Sequence, residues 1–374
     1  VAHACKPGLA VTRSARVRRP RRLPLRGRVL VGPGERVGAR TVVARCELPG
    51  ALQAVNLAAR LAVDPAQVRG CLRVSVGERV RAGAIVAEGR SLFGLLRTAA
   101  TAPCDGVVES VSPVTGQLLL REPTVPVEVG AYVSGVVCEV LPDEGVVVEA
   151  HVALVQGIFG VGGETSGPLA VVAGRPEDTL APEQIGPRLR GHVVVGGAHA
   201  PWASIARARE AGVAALVVGG VDDADLSLLL GRDLGVAITG AEDVGLTLVL
   251  TEGFGRMPMA ERTWSLLLEH HGREASVSGV TQIRAGVQRP EILIPLEEGA
   301  PPPVPPAAPE GLRIGARVRI VRSPNFGRLA RVVALPAEPS RLETESLVRV
   351  VEVEFEGGRE RALVARANVE AFDA

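Results

Sequence analysis

The 374 residues carry 42 basic and 41 acidic side chains, a net charge of +1, with 47% hydrophobic residues but only six Phe, two Trp and one Tyr. Balanced charge excludes a global pull on polyanions, and so few rings leave little for base stacking. Five scattered cysteines (Cys5, Cys46, Cys71, Cys104, Cys138) contain no C-x-x-C pair, and no apolar run approaches the ~18 residues of a membrane span. A soluble, cytoplasmic chain of two or three domains is therefore expected, with no metal or other cofactor.

Residues 1–25 read as a basic tail: eight arginines and no acid fall between Arg13 and Arg28. The arginine-rich start has no apolar core behind it, so a secretory signal is not expected. From residue 26 to 150 the pattern becomes β. Val29-Leu-Val-Gly-Pro-Gly-Glu-Arg-Val-Gly-Ala-Arg-Thr-Val-Val-Ala44 aligns without gaps on Leu72-Arg-Val-Ser-Val-Gly-Glu-Arg-Val-Arg-Ala-Gly-Ala-Ile-Val-Ala87. A second repeat places Gly106-Val-Val-Glu-Ser-Val-Ser-Pro on Gly135-Val-Val-Cys-Glu-Val-Leu-Pro. Each unit is a strand, a glycine turn and a strand. A lone hairpin buries no apolar face, so the copies are expected to stack. Between them, apolar spacing predicts a helix over 52–62, and Asp64-Pro65 predicts a capped short helix.

The stretch from Arg73 to Ala87, followed by Ala102-Pro-Cys-Asp-Gly-Val-Val-Glu109, resembles the two halves of a biotinyl/lipoyl-type barrel-sandwich hybrid domain. Carrier members of that family hold a modified lysine at the tip between the halves. Here the tip, 88–101, has no lysine, and Lys6 is the only one in the chain. The resemblance thus implies the fold without biotin or lipoate attachment.

Residues 151–187 form a Gly-rich bridge. Gln156-Gly-Ile-Phe-Gly-Val-Gly-Gly-Glu-Thr-Ser-Gly167 has Glu164 where a phosphate-cradling loop needs lysine, so a closely packed hinge is expected rather than a nucleotide site. Residues 188–296 switch to strand–helix–strand order and predict a central α/β domain with parallel pairing. Its strands are expected at 191–197, 213–220, 234–240 and 246–252, and its helices at 203–212, 222–230 and 258–271. The segment resembles protease-associated and other swivelling α/β domains. Ligands of open α/β sheets sit at strand ends, which makes Glu252, Gln282 and Arg284 the expected pocket residues. His270 and His271 are adjacent and point apart, so capping of the helix end is expected of them rather than metal ligation. His192 and His199 straddle a strand end with no Cys or Asp at a ligand spacing.

Residues 297–310 hold six prolines and read as a linker. Beyond it, in 311–374, Gly315-Ala-Arg-Val-Arg-Ile-Val-Arg-Ser-Pro-Asn-Phe-Gly-Arg-Leu-Ala-Arg-Val-Val333 resembles a KOW motif, which implies a small SH3-like β-barrel. KOW domains contact RNA, ribosomes or RNA polymerase. By that resemblance Arg317, Arg319, Arg322, Asn325, Arg328 and Arg331, which flank the turn, would be the nucleic-acid contacts, since guanidinium groups on a protruding hairpin suit phosphates. The expectation is a multidomain chain made of a β-rich barrel-sandwich hybrid, an α/β domain and an SH3-like β-barrel. It would act as a non-enzymatic binding protein on RNA or a transcription or translation machine. An enzyme or small-molecule binder using the strand-end pocket, and a purely structural assembly factor, are the alternatives.

Overall fold

Apolar and small residues alternate with arginines from Val11 to Arg22, and in the computed structural model this stretch is a twelve-residue strand rather than a tail. Residues 9–91, 96–231, 242–281, 288–297, 312–320, 325, 327–336, 338, 340–341, 347–356, 358 and 360–371 are described. The expected strand at 234–240, nearly all of the linker, Arg322, Gln282 and Arg284 lie outside these residues. Val11–Arg22 runs antiparallel along one whole edge of Gly145–Gln156. Pro20, which cannot donate to a ladder, is tolerated there because no further strand among the described residues pairs beyond it. The arginines answer distant acids: Arg18 meets Glu149 at 2.6 Å, Arg21 meets Glu164 at 2.6 Å, and Arg13 meets Glu269 at 2.8 Å.

The fold is β-rich. Among the described residues, an eleven-stranded mixed sheet runs through the centre of the molecule. The other edge of Gly145–Gln156 is shared: 145–149 pair with Gly135–Leu141, and 152–156 pair with Glu291–Pro295. One long strand therefore joins the N-terminal β unit to the central layer, and the sheet crosses the boundaries that composition suggests near 150 and 188. The bridge itself supplies Phe159–Val161 and Glu164–Val171 to that sheet. Gly157, Gly160, Gly162 and Gly167 pack against backbone: a Cβ on Gly162 (φ +99°) would stand 2.1 Å from the Leu246 carbonyl oxygen.

The internal repeat has a structural counterpart. The Gly34 N–H donates to the Val137 carbonyl at 2.7 Å, and the Gly77 N–H to the Val108 carbonyl at 2.8 Å. The Val137 and Val108 amides return bonds of 2.9 Å to the carbonyls of Glu35 and Glu78. Both glutamate carboxylates accept the amide three residues back, from Gly32 and Ser75. Gly34 and Gly77 have φ of +80° and +88°, a region that favours glycine. The second copy, whose unit spans 52–121, is nested inside the first and has its own core of Leu57, Leu61, Val68, Val86, Leu118 and Leu120. The helix expected over 52–62 is corrected in its first half. Leu52–Asn56 is a strand paired with Gln117–Arg121, and Leu57–Leu61 alone is helical, capped by Asn56. Here cross-strand pairing outweighs helical spacing. Asp64 accepts the Ala66 amide at 2.9 Å and caps the next turn as expected.

In the central layer Glu164–Val171, Val193–Val195, Ala215–Val221 and Thr247–Phe254 are parallel neighbours. Helices Trp202–Ala211 and Asp223–Leu230 pack on one face through Ile205, Ala208, Leu226 and Leu229. Helix Glu261–Glu269 covers the other through Trp264, Leu266 and Leu267. A small antiparallel sheet closes the chain, in the order Arg361–Ala365, Val350–Phe355, Leu329–Ala334, Arg317–Ile320, Val369–Ala371. No helix among the described residues is long and apolar enough to cross a membrane.

The two histidines after Glu261–Glu269 do different work. His271 accepts the Val171 amide through Nδ1 at 3.0 Å. His270 is buried, and burial pushes its imidazole below the usual histidine value of 6.5, with Arg273 and Arg13 acting the same way and Glu269 opposing. A histidine kept neutral by the fold binds its proton more readily once unfolded. Its stabilising effect is therefore full above about pH 6.5 and is lost as pH falls towards the depressed folded value. Denaturation midpoints are expected to drop between about pH 7 and 5, and His270→Gln should flatten that slope. An unchanged slope in the variant would contradict the assignment.

Candidate functional site

The residues that sequence spacing assigns to two separate sites meet in one place. Glu252, near the end of Thr247–Phe254, is 4% exposed, and Arg319, on Arg317–Ile320 of the C-terminal sheet, is 1% exposed. Arg319 Nη2 stands 3.3 Å from Glu252 and Nη1 stands 3.4 Å from Glu370. Arg289 pairs with the other oxygen of Glu370. Two guanidinium groups and two carboxylates thus balance in the buried space between the C-terminal sheet and the central sheet. The second oxygen of Glu252 accepts the Ala260 amide at 3.0 Å, which ties the network to the start of Glu261–Glu269. Beside it Gly327, at φ +83°, lies so close to Phe254 that a Cβ would come within 2.8 Å of the ring.

This placement corrects the expectation that Arg319 touches phosphate. Burial pulls its guanidinium below the usual arginine value, Glu370 and Glu252 oppose that shift, and it remains cationic between them. Glu252 likewise faces a guanidinium and a backbone amide instead of an open pocket. Glu370 and Arg289, which complete the network, carry no signal in local sequence. Their partners lie 51 and 81 residues away.

The other described turn residues, Arg317, Asn325, Arg328 and Arg331, lie where the C-terminal sheet is partly open to solvent. Arg317 is half-buried and forks onto Glu356 at 2.7 and 3.0 Å. Arg328 reaches Glu360 at 2.6 Å and Asn325 at 2.9 Å, with its guanidinium stacked 3.6 Å from the centre of the Phe355 ring. Arg331 is exposed and donates to the Gly315 carbonyl at 3.2 Å. The register sets Arg317 opposite Arg331, Arg331 opposite Glu354, and Glu354 opposite Arg361, a charge ladder across four strands. Hydrogen bonds from Arg317 and Arg328 hold the Glu356 and Glu360 carboxyls below the usual value of 4.5.

A second polar region lies between the N-terminal unit and the central sheet. An open cleft of about 440 Å³ is lined by Arg21, Arg40, Gly130, Tyr132, Glu164 and Ser166, among others. Arg21 forks onto Glu164 at 2.8 and 2.6 Å, and Arg40 binds the Ser166 carbonyl at 2.8 Å. Tyr132 has φ of +70°, an unfavourable conformation for a bulky side chain. It is held there by its amide bond to Ala39, by Arg21 over its ring at 5.4 Å, and by its hydroxyl, which donates to Glu291 at 3.3 Å. Burial, then the charge of Glu291, pushes the phenol well above its usual value of 10. Arg19 forks onto the same glutamate, so the acid is neutralised from the other side.

At the C-terminal ends of the parallel strands, His199, Asp222 and Asp225 place one ligand atom each within 4.8 Å of one another. Sequence reading expects no metal here because no acid lies at a short spacing from His199. Parallel strands joined by crossover helices bring together residues that follow successive strands, and that topology closes the gap of 23 residues between His199 and Asp222. His192 is elsewhere, bonded through Nδ1 to the Arg190 carbonyl at 3.1 Å.

No protein-family model matches the chain, and no curated protein matches it in sequence.

Removing Arg319 leaves the buried Glu252 without a guanidinium partner and Glu370 with Arg289 alone, whereas removing Arg317 frees one partly exposed acid. Arg319→Ala is expected to destabilise the chain by about 3–5 kcal/mol, and Arg317→Ala by about 1 kcal/mol or less. Urea denaturation of both variants checks the contrast, and equal losses would contradict the buried network.

Proposed function

We propose that the protein is a non-enzymatic binding scaffold whose C-terminal module, an SH3-like barrel by its likeness to KOW domains, contacts RNA. The N-terminal unit, by its likeness to lysine-free barrel-sandwich hybrids, serves as platform rather than carrier. The observation that carries the reading is the engagement of Glu252 by Arg319 and the Ala260 amide. The acid that a strand-end catalytic pocket would use instead anchors the C-terminal sheet, and Arg317, Arg328, Arg331 and Arg361 on that sheet stay partly or fully exposed to solvent. Of the residues expected to touch RNA, Arg317, Asn325, Arg328 and Arg331 remain in the proposal, Arg319 leaves it, and Arg322 lies outside the described residues.

The glutamates of the ladder shape the expected behaviour. A phosphate must compete with Glu354, Glu356 and Glu360 for these guanidinium groups, so binding should be modest and strongly screened by salt. With about three phosphate contacts, affinity for a single-stranded RNA should fall about tenfold or more between about 50 and 200 mM salt. Fluorescence anisotropy with the full chain measures this, alongside the double variant Arg328→Glu, Arg331→Glu. The proposal expects salt-dependent binding that the double variant weakens. Absence of binding at low salt, or binding indifferent to the charge reversal, would overturn it. Co-purification of a ribosome or polymerase that resists nuclease would instead favour docking on protein.

A further inference from the structure

We propose that His199, Asp222 and Asp225 bind a divalent first-row transition-metal ion, with water completing its coordination. The site is built on constrained backbone. His199 follows Val193–Val195 and bridges Thr179 on one side and Gly220 on the other, and its carbonyl accepts the Leu180 amide at 2.8 Å. Its side chain is 12% exposed, with Nε2 placed 3.2 Å from Asp222 Oδ2.

The two aspartates belong to the start of Asp223–Leu230. Asp222 occupies the N-cap position in an extended conformation, where a carboxylate ordinarily accepts an amide of its own first turn. It makes no such bond and turns to His199 instead. Asp225, one turn on, uses Oδ2 to accept the Trp202 amide at 3.0 Å, so it already faces the same corner between the two helices. A cation with bonds of about 2.1 Å separates neighbouring donor atoms by roughly 3–3.5 Å. The pair of His199 and Asp222 stands at that spacing, and the widest pair in the cluster must close by about 1.5 Å at most, within reach of carboxylate rotation.

Charge favours the site. Two carboxylates and a neutral imidazole cancel a divalent ion, and they outweigh the roughly half positive charge of the helix start. A mixed nitrogen and oxygen donor set suits Mn²⁺, Fe²⁺ or Zn²⁺ better than Ca²⁺ or Mg²⁺. Asp222 is 58% exposed on its side chain, which leaves an open side for water. A simple His199–Asp222 pair would not involve Asp225, and that difference makes the assignment testable.

Mn²⁺ is the probe of choice, since thiolates such as the four described free cysteines suit softer ions. The full chain, stripped with chelator, is titrated with Mn²⁺ while electron paramagnetic resonance reads the free ion. One equivalent per chain is expected to bind, at least tenfold more weakly in Asp222→Asn and Asp225→Asn, and to raise the melting temperature of the unsubstituted chain alone. Asn at 225 keeps an acceptor for the Trp202 amide, so the fold should hold, and circular dichroism checks it. No saturable binding below about 1 mM, or variants that bind as tightly as the unsubstituted chain, would overturn the proposal.

Discussion

Arg319 sits between two carboxylates at 1% exposure, and the position of the C-terminal sheet depends on that arrangement. Desolvating a guanidinium is costly, and its attraction for an acid offsets that only when geometry and partners are complete. Here Glu252 comes from the central sheet and Glu370 from the C-terminal sheet, so the charge is satisfied only while the two sheets touch. Gly327 against Phe254 adds steric fit at the same contact. Apolar contact alone would allow neighbouring orientations; a fork of charges with fixed partners disfavours them.

The N-terminal unit is joined by a different device. Gly145–Gln156 takes part in both halves of the molecule, with Val11–Arg22 as a continuous splint on its outer edge. Arg19 and Arg21 then reach Glu291 and Glu164 in the central layer, and Tyr132 is held between them despite a strained backbone. Ladder hydrogen bonds set the register, and these ion pairs fix the angle between unit and layer. In the nested repeat each copy pairs with a segment remote in the chain, Arg36–Val37 with Gly135–Leu141 and Arg79–Val80 with Gly106–Val111.

Parts of this were legible in the sequence because they rest on local geometry. Gly34 and Gly77 announce turns that only glycine makes easily, and Glu35 and Glu78 repeat the same carboxylate-to-amide bond. Gly212 ends Trp202–Ala211 in the left-handed conformation, as its position after an Ala-rich helix suggests. What stayed illegible depends on partners remote in the chain. The arginines of Val11–Arg22 look like a solvated run until Glu149, Glu164 and Glu291 come into view. Leu52–Asn56 has helical spacing, and its strand identity comes from Gln117–Arg121. Arg319 and Arg317 are two residues apart on the same face of one strand and read alike, yet the central sheet covers the first through Glu252 and leaves the second half-exposed. His199 acquires its acids only through the order of parallel strands.

The most direct test of the docked arrangement is a double-mutant cycle on Glu252 and Arg319, measured by urea denaturation of Glu252→Gln, Arg319→Met and the double variant. The expected result is a coupling of about 1.5 kcal/mol or more, with the C-terminal and central sheets unfolding together in the unsubstituted chain. Additive effects, with the C-terminal sheet melting as a separate unit, would contradict a buried ion network as the element that holds the sheets together.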